Sequence, residues 1–159
     1  MTTNDQLVDT HVVRDPETGA SFRAPSEWGV QHLPDVGWVA LEPQHDEDAF
    51  RANLVLSVVD NGGRDFKAWQ QFTDEGLPHM LEDYLLLDLE KLDVAGQPGG
   101  RRLAHHLSPQ GQSLVMEQWF TDRDGLGFTL TATVDAMRYA TFAPIFDHCA
   151  AQLVVGGGR

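Results

Sequence analysis

The run RRLAHHLSPQGQSLVMEQWFTDRDGLGFTLTATV, residues 101–134, decides the fold. It divides into three extended segments, Arg101 to Leu107, Ser113 to Thr121 and Leu126 to Val134, separated by turn-forming residues. Ser108-Pro109-Gln110-Gly111-Gln112 and Asp122-Arg123-Asp124-Gly125-Leu126 each suit a three-residue hairpin loop, a type I turn followed by a left-handed residue, with glycine third. That turn chemistry predicts a register in which Trp119 faces Thr129, Glu117 faces Thr131 and Val115 faces Thr133. Phe120 then meets Phe128, Gln118 meets Leu130 and Met116 meets Ala132. The register gathers Leu114, Met116, Phe120, Phe128, Leu130, Ala132 and Val134 on one apolar face, which a slip by one residue would scatter. The same logic at the first loop sets His105 opposite Val115 and Leu103 opposite Glu117.

Upstream of this meander, Gly96-Gln97-Pro98-Gly99-Gly100 reads as a turn and Leu86 to Val94 as a strand, in a Leu-rich, charged run that separates poorly from helix. Asp65 is placed to cap a helix carrying Phe66, Trp69 and Phe72. Gly76-Leu77-Pro78 is expected to interrupt it, with Pro78 opening a short second helix and Met80, Leu81 and Tyr84 continuing the buried stripe. Ala52 to Asp60, ANLVLSVVD, is apolar and β-branched, as for a strand covered on both faces. Glu27 to Leu33 and Gly37 to Leu41 are short strands bounded by Pro34 and Pro43. Downstream, Asp135 is placed to cap a closing helix whose stripe is Phe142, Ile145, Phe146, Cys149 and Leu153, with Pro144 weakening or displacing its start.

The order of elements predicts an α+β fold, a mostly antiparallel sheet with helices packed on it. Residues 20–155 are expected to form one domain, residues 1–19 an N-terminal segment that is partly ordered or an edge strand, and residues 156–159 a flexible tail. With 159 residues, 24 acidic against 11 basic side chains and a formal charge of −13, the chain disfavours nucleic acid and anionic membrane as partners. A single cysteine, Cys149, excludes an intrachain disulfide. The polar first ten residues lack the pattern of a signal peptide, and no run reaches the roughly 20 apolar residues of a membrane span. Cytoplasmic residence is the expectation; oligomeric state is not readable.

The pattern Phe22-x-x-Pro25-x-x-Trp28, then ANLVLSVVD, a helix, and a three-strand meander ending GFTLTATVD before an aromatic helix resembles the PsbP-like superfamily. Within it, the chain resembles the LpqN-like and DcrB-like bacterial proteins. The resemblance spans Phe22 to Val155 and implies an α/β/α sandwich. It also implies a fold used for protein contacts: the members include a photosystem accessory subunit, envelope lipoproteins and a binder of the small GTPase Ran. It transfers no binding residue, because the members share no motif for one.

The residues suggest no catalytic apparatus and no cofactor. No serine lies in a GxSxG elbow, and no glycine-rich run continues into a phosphate loop. His105 and His106 are adjacent on a strand and point to opposite faces, while His45 beside Asp46-Glu47-Asp48 lacks the pattern of a calcium loop. One constellation remains: His105, Glu117, Trp119, Thr129 and Thr131 are expected on one face across three strands, either lining a polar pocket or forming a sheet face partly covered by the Asp65–Tyr84 helix. Trp38 is a candidate interface residue, and Trp28 is expected in the core. The expected function is a non-enzymatic binding module for an unknown protein partner; the alternative is a small-ligand carrier using the His105/Glu117/Trp119 face.

Overall fold

Two turns of different chemistry set how the central strands pair. Pro109 cannot adopt a positive φ, so the loop after Ser108 closes as a type I turn with Gly111 left-handed at φ 85°. Ser108 donates its amide to the Gln112 carbonyl, and His105 faces Val115 as expected. The second loop contains no proline. Asp124 and Gly125 both turn left-handed, at φ 53° and 82°, and make a two-residue turn closed by Arg123 and Leu126. One residue fewer in the loop shifts the expected register: Trp119 faces Leu130, Phe120 faces Thr129 and Glu117 faces Ala132. The expected apolar face is therefore split between the two sides of the sheet.

The computed structural model describes residues 8–156. The greater part of the tail expected at residues 156–159, and the first seven residues of the N-terminal segment, lie outside them. The elements are β1 (Thr10–Arg14), β2 (Ser21–Pro25), β3 (Gly29–Leu33), β4 (Gly37–Leu41), β5 (Asn53–Asp60), α1 (Phe66–Met80), β6 (Glu82–Val94), β7 (Gln97–Leu107), β8 (Ser113–Arg123), β9 (Leu126–Asp135), a 3-10 turn (Ala136–Arg138) and α2 (Tyr139–Ala151). Seven strands form an antiparallel sheet in the order β3-β4-β5-β9-β8-β7-β6, and β1 and β2 form a separate antiparallel pair.

The β1–β2 pair and α2 pack on one face of the sheet. Leu54, Leu56, Phe128, Leu130, Ala132 and Val134 meet Phe22, Phe146 and Cys149 there, the last two from the predicted α2 stripe. Pro144 lies inside α2 rather than at its start. Trp28 is in this core, as its position suggested. On the opposite face α1 is seated by Trp69, whose ring rests against Phe120, and by Leu77, which packs on Ala104 and Met116. A Cβ at Gly127 would lie 2.2 Å from the Trp69 ring, so this close approach requires glycine.

Asp65 caps α1 as expected, accepting the Ala68 amide at 2.8 Å. The expected break at Gly76 does not occur. Pro78 falls in the last turn, and Leu81 donates to the Leu77 carbonyl to finish the same helix. Phe72 and Met80, expected in the buried stripe, are 56% and 71% exposed, because α1 crosses the sheet on Trp69 and Leu77 alone among its fully buried residues. β5 buries Leu54 and Leu56 on the α2 side but leaves Val59 exposed on the other, so it is fully covered on one face only.

Candidate functional site

Because register sets which side of a strand a residue occupies, the slip in the β8–β9 hairpin redistributes the expected polar group. His105, Glu117 and Trp119 stay together on the α2 face, whereas Thr129 and Thr131 lie on the α1 face. The shared surface expected of these five residues does not form. Glu117 and Trp119 are 2% and 5% exposed beneath α2. Arg101 donates its Nε to Glu117 Oε2 at 2.6 Å, and the Tyr139 hydroxyl donates to Oε1 at 3.1 Å. Burial pushes the Glu117 carboxyl above the ordinary glutamate range, against the pull of Arg101 and Tyr139. The Tyr139 hydroxyl is pushed up to about 12 by its own burial and by the Glu117 charge. Both carboxylate oxygens are engaged within the fold, and the pair joins α2 to the sheet.

Thr131 belongs to a second buried network. It accepts from Gln118 Nε2 at 3.0 Å; Gln118 in turn accepts from Arg102, which also reaches Asp74 of α1. The Arg102 guanidinium lies over the Phe120 ring, 4.5 Å from its centroid. A buried arginine bonded to the helix above it orients α1; it offers nothing to solvent. Trp38 is half-buried at the other end of the sheet, with His32 against its ring at 4.8 Å and its Nε1 donating to Asp15 at 3.4 Å. It shares no surface with His105. Among the described residues no group of three or more His, Cys, Asp or Glu is placed to hold a metal, and burial pushes the Cys149 thiol up to about 12.

The surface that sequence reasoning passed over is β6. It is the last strand of the seven-stranded sheet, so its outer backbone edge pairs with no strand among the described residues. Leu85, Leu86, Leu87, Leu89 and Leu92 are all exposed along it. Pairing with β7 is irregular between Glu82 and Leu85 and between Leu86 and Asp88, which leaves Leu87 without a partner residue on β7. The strand also carries Glu82, Asp83, Asp88, Glu90 and Asp93 against one lysine, Lys91. Arg101 draws Asp88 and Glu90 inward, at 3.3 and 3.2 Å. The signal was present in the sequence: three consecutive leucines cannot all be buried by a strand covered on one face.

No protein-family model and no curated protein matches the sequence. Solved structures do match the fold. LpqN of Mycobacterium tuberculosis, described as involved in cell envelope biogenesis, superimposes with a TM-score of 0.65 at 15% identity, covering 97% of this chain and 94% of that one. The PsbP protein CyanoP of Synechocystis sp. PCC 6803 gives 0.62 at 16% identity, covering 98% and 97%. The Saccharomyces cerevisiae Ran-binding protein Mog1p gives 0.65 at 13% identity, covering 93% and 96%.

The chain has the PsbP-like fold.

This was the architecture implied by the Phe22-to-Val155 pattern, with helices on both faces of an antiparallel sheet. At these identities the likeness establishes architecture alone, so a function within the PsbP-like fold must be argued from this chain's own surfaces.

Proposed function

We propose that this chain is a non-enzymatic protein-binding module that engages its partner through the exposed β6 edge. The observation that carries the reading is an edge strand with no neighbour on its outer side among the described residues and five exposed leucines, Leu85 and Leu92 on the α2 side, Leu86 and Leu89 on the α1 side and Leu87 at the bulge. An unpaired strand edge offers backbone donors and acceptors to a partner strand, and the exposed side chains on its two faces set specificity. The acidic residues along β6 favour a partner whose own apolar patch is rimmed by lysine or arginine. The use of this fold by a Ran-binding protein is consistent with such a role. The carrier reading loses its basis, since Arg101, Tyr139 and α2 already occupy the Glu117 face.

The test compares wild type with a Leu87→Lys, Leu89→Lys double variant as affinity baits in lysate of the source organism. A partner retained stoichiometrically by wild type and lost by the variant is expected. Urea unfolding of the two should agree closely, because the substituted side chains are exposed. Retention of the same partner by both baits would remove β6 as the binding surface.

A further inference from the structure

Three acidic side chains are buried among the described residues: Asp15, Glu42 and Glu117. Glu117 is paired with Arg101 and Glu42 with Arg138. Asp15, only 9% exposed, has no lysine, arginine or histidine nitrogen within 4.0 Å among the described residues. Its carboxylate is held by neutral donors instead: Thr18 Oγ1 at 2.6 Å, the Glu17 amide at 3.2 Å and Trp38 Nε1 at 3.4 Å. Burial works to raise its pKa, but these hydrogen bonds more than offset that effect and keep it below the ordinary aspartate value. Among the described residues this largely buried carboxylate has no cationic partner.

This carboxylate borders a cavity of about 410 Å³ between the β1–β2 turn and the β3–β4 hairpin. The indole of Trp38 and the side chains of Leu56, Val58 and Leu126 line it, with Glu17 and His32 among the remaining residues. The volume falls within the range of small-ligand sites. A negative centre beside an indole and an aliphatic wall complements a cation carried on a hydrocarbon chain. The Thr18 hydroxyl and amide, the Glu17 amide and Trp38 Nε1 already meet the carboxylate, so an entering cation is held there by charge more than by a vacant acceptor position. A compact ammonium acts as a point charge, whereas a guanidinium fork needs a pair of open acceptor positions.

We propose that the Asp15–Trp38 cavity binds a primary ammonium on an aliphatic chain, with the ammonium at Asp15 and the chain against Trp38, Leu56 and Val58. A free alkylamine and a lysine side chain of a polypeptide share this chemistry. The site lies at the opposite end of the sheet order from β6, so its test is independent of the β6 edge.

The full chain, labelled with ¹⁵N, is titrated with n-butylammonium, with N-acetyl-lysine amide, and with n-butanol and N-acetyl-norleucine amide as uncharged counterparts. Saturable shifts are expected at the Trp38 indole N–H and the Thr18 amide with one or both ammonium ligands. Preference for n-butylammonium would assign a small amine, and preference for the lysine derivative a protein side chain. Asp15→Asn should weaken binding by about tenfold or more. Val58→Phe, which fills the cavity without altering the β1–β2 turn, should abolish the shifts, so the outcome does not depend on Asp15→Asn folding. Equal shifts with the uncharged ligands, or no saturable shift with either ammonium, would overturn the proposal.

Discussion

At the scale of single residues, two of the three buried carboxylates among the described residues are paired with arginine. Glu42, 4% exposed, accepts both Arg138 Nη atoms at 2.9 Å and the Ala52 amide at 2.8 Å. Arg138 also donates to the Phe50 carbonyl at 2.8 Å, so one bidentate pair joins the start of α2 to the β4–β5 connection. Burial alone would push the Glu42 carboxyl up, but Arg138 and the Ala52 amide more than offset it and hold the pKa below 4.5. In the unfolded chain Glu42 takes up its proton near 4.5, whereas the folded chain resists until lower pH. The stabilisation is therefore complete above 4.5 and is lost as the pH falls through the depressed folded value. Glu42→Gln should show a shallower loss of stability than wild type between about pH 6 and pH 3, measured by urea midpoints. Parallel curves would mean that the pair does not act through charge.

At the scale of elements, the seat of α1 depends on a missing side chain. Trp69 approaches β9 so closely that Gly127→Ala would set a methyl group 2.2 Å from its ring. The cost should be about 1–3 kcal/mol, typical of overpacking, read as a lowered urea midpoint. Trp69→Leu in the same background should recover part of it, giving non-additive effects for two residues in contact. Additive losses would place the ring elsewhere. The same elements show where hairpin reasoning succeeded. Pro109 excluded a primed turn, so the β7–β8 register, including His105 against Val115, was legible. Asp124-Gly125 suits either loop length, because aspartate tolerates a positive φ. Nor could hydrophobic alternation arbitrate. Residues Leu114 to Thr121 of β8 are buried in an unbroken run, since α2 covers one side and α1 the other. Both choices of face looked acceptable, and the expected polar surface was assembled from residues on opposite sides.

At the scale of the whole molecule, a formal charge of −13 opposes self-association through the exposed edge of β6 and its leucines. Salt shortens the screening length from about 10 Å at 0.1 M to about 3 Å at 1 M. Wild type is expected to sediment as a monomer at low salt and to associate increasingly at high salt, and Leu87→Lys, Leu89→Lys should suppress that association. A wild type that stays monomeric throughout would mean that the edge does not recognise itself once repulsion is screened.

The linear order of residues was sufficient for whatever depends on neighbours along the chain. The Asp65 cap, the Pro109 turn, the apolar stripe of α2 and the succession of elements that marks the PsbP-like fold are all local signals. Tertiary structure alone decided which faces are covered, and with them the candidate sites. Among the described residues no strand pairs with the outer edge of β6, and Asp15 meets Trp38 rather than a cationic side chain because β1–β2 folds back beside β4. Burial is a relation between segments distant in sequence, so it emerges only once the sheet has an order and its helices have sides.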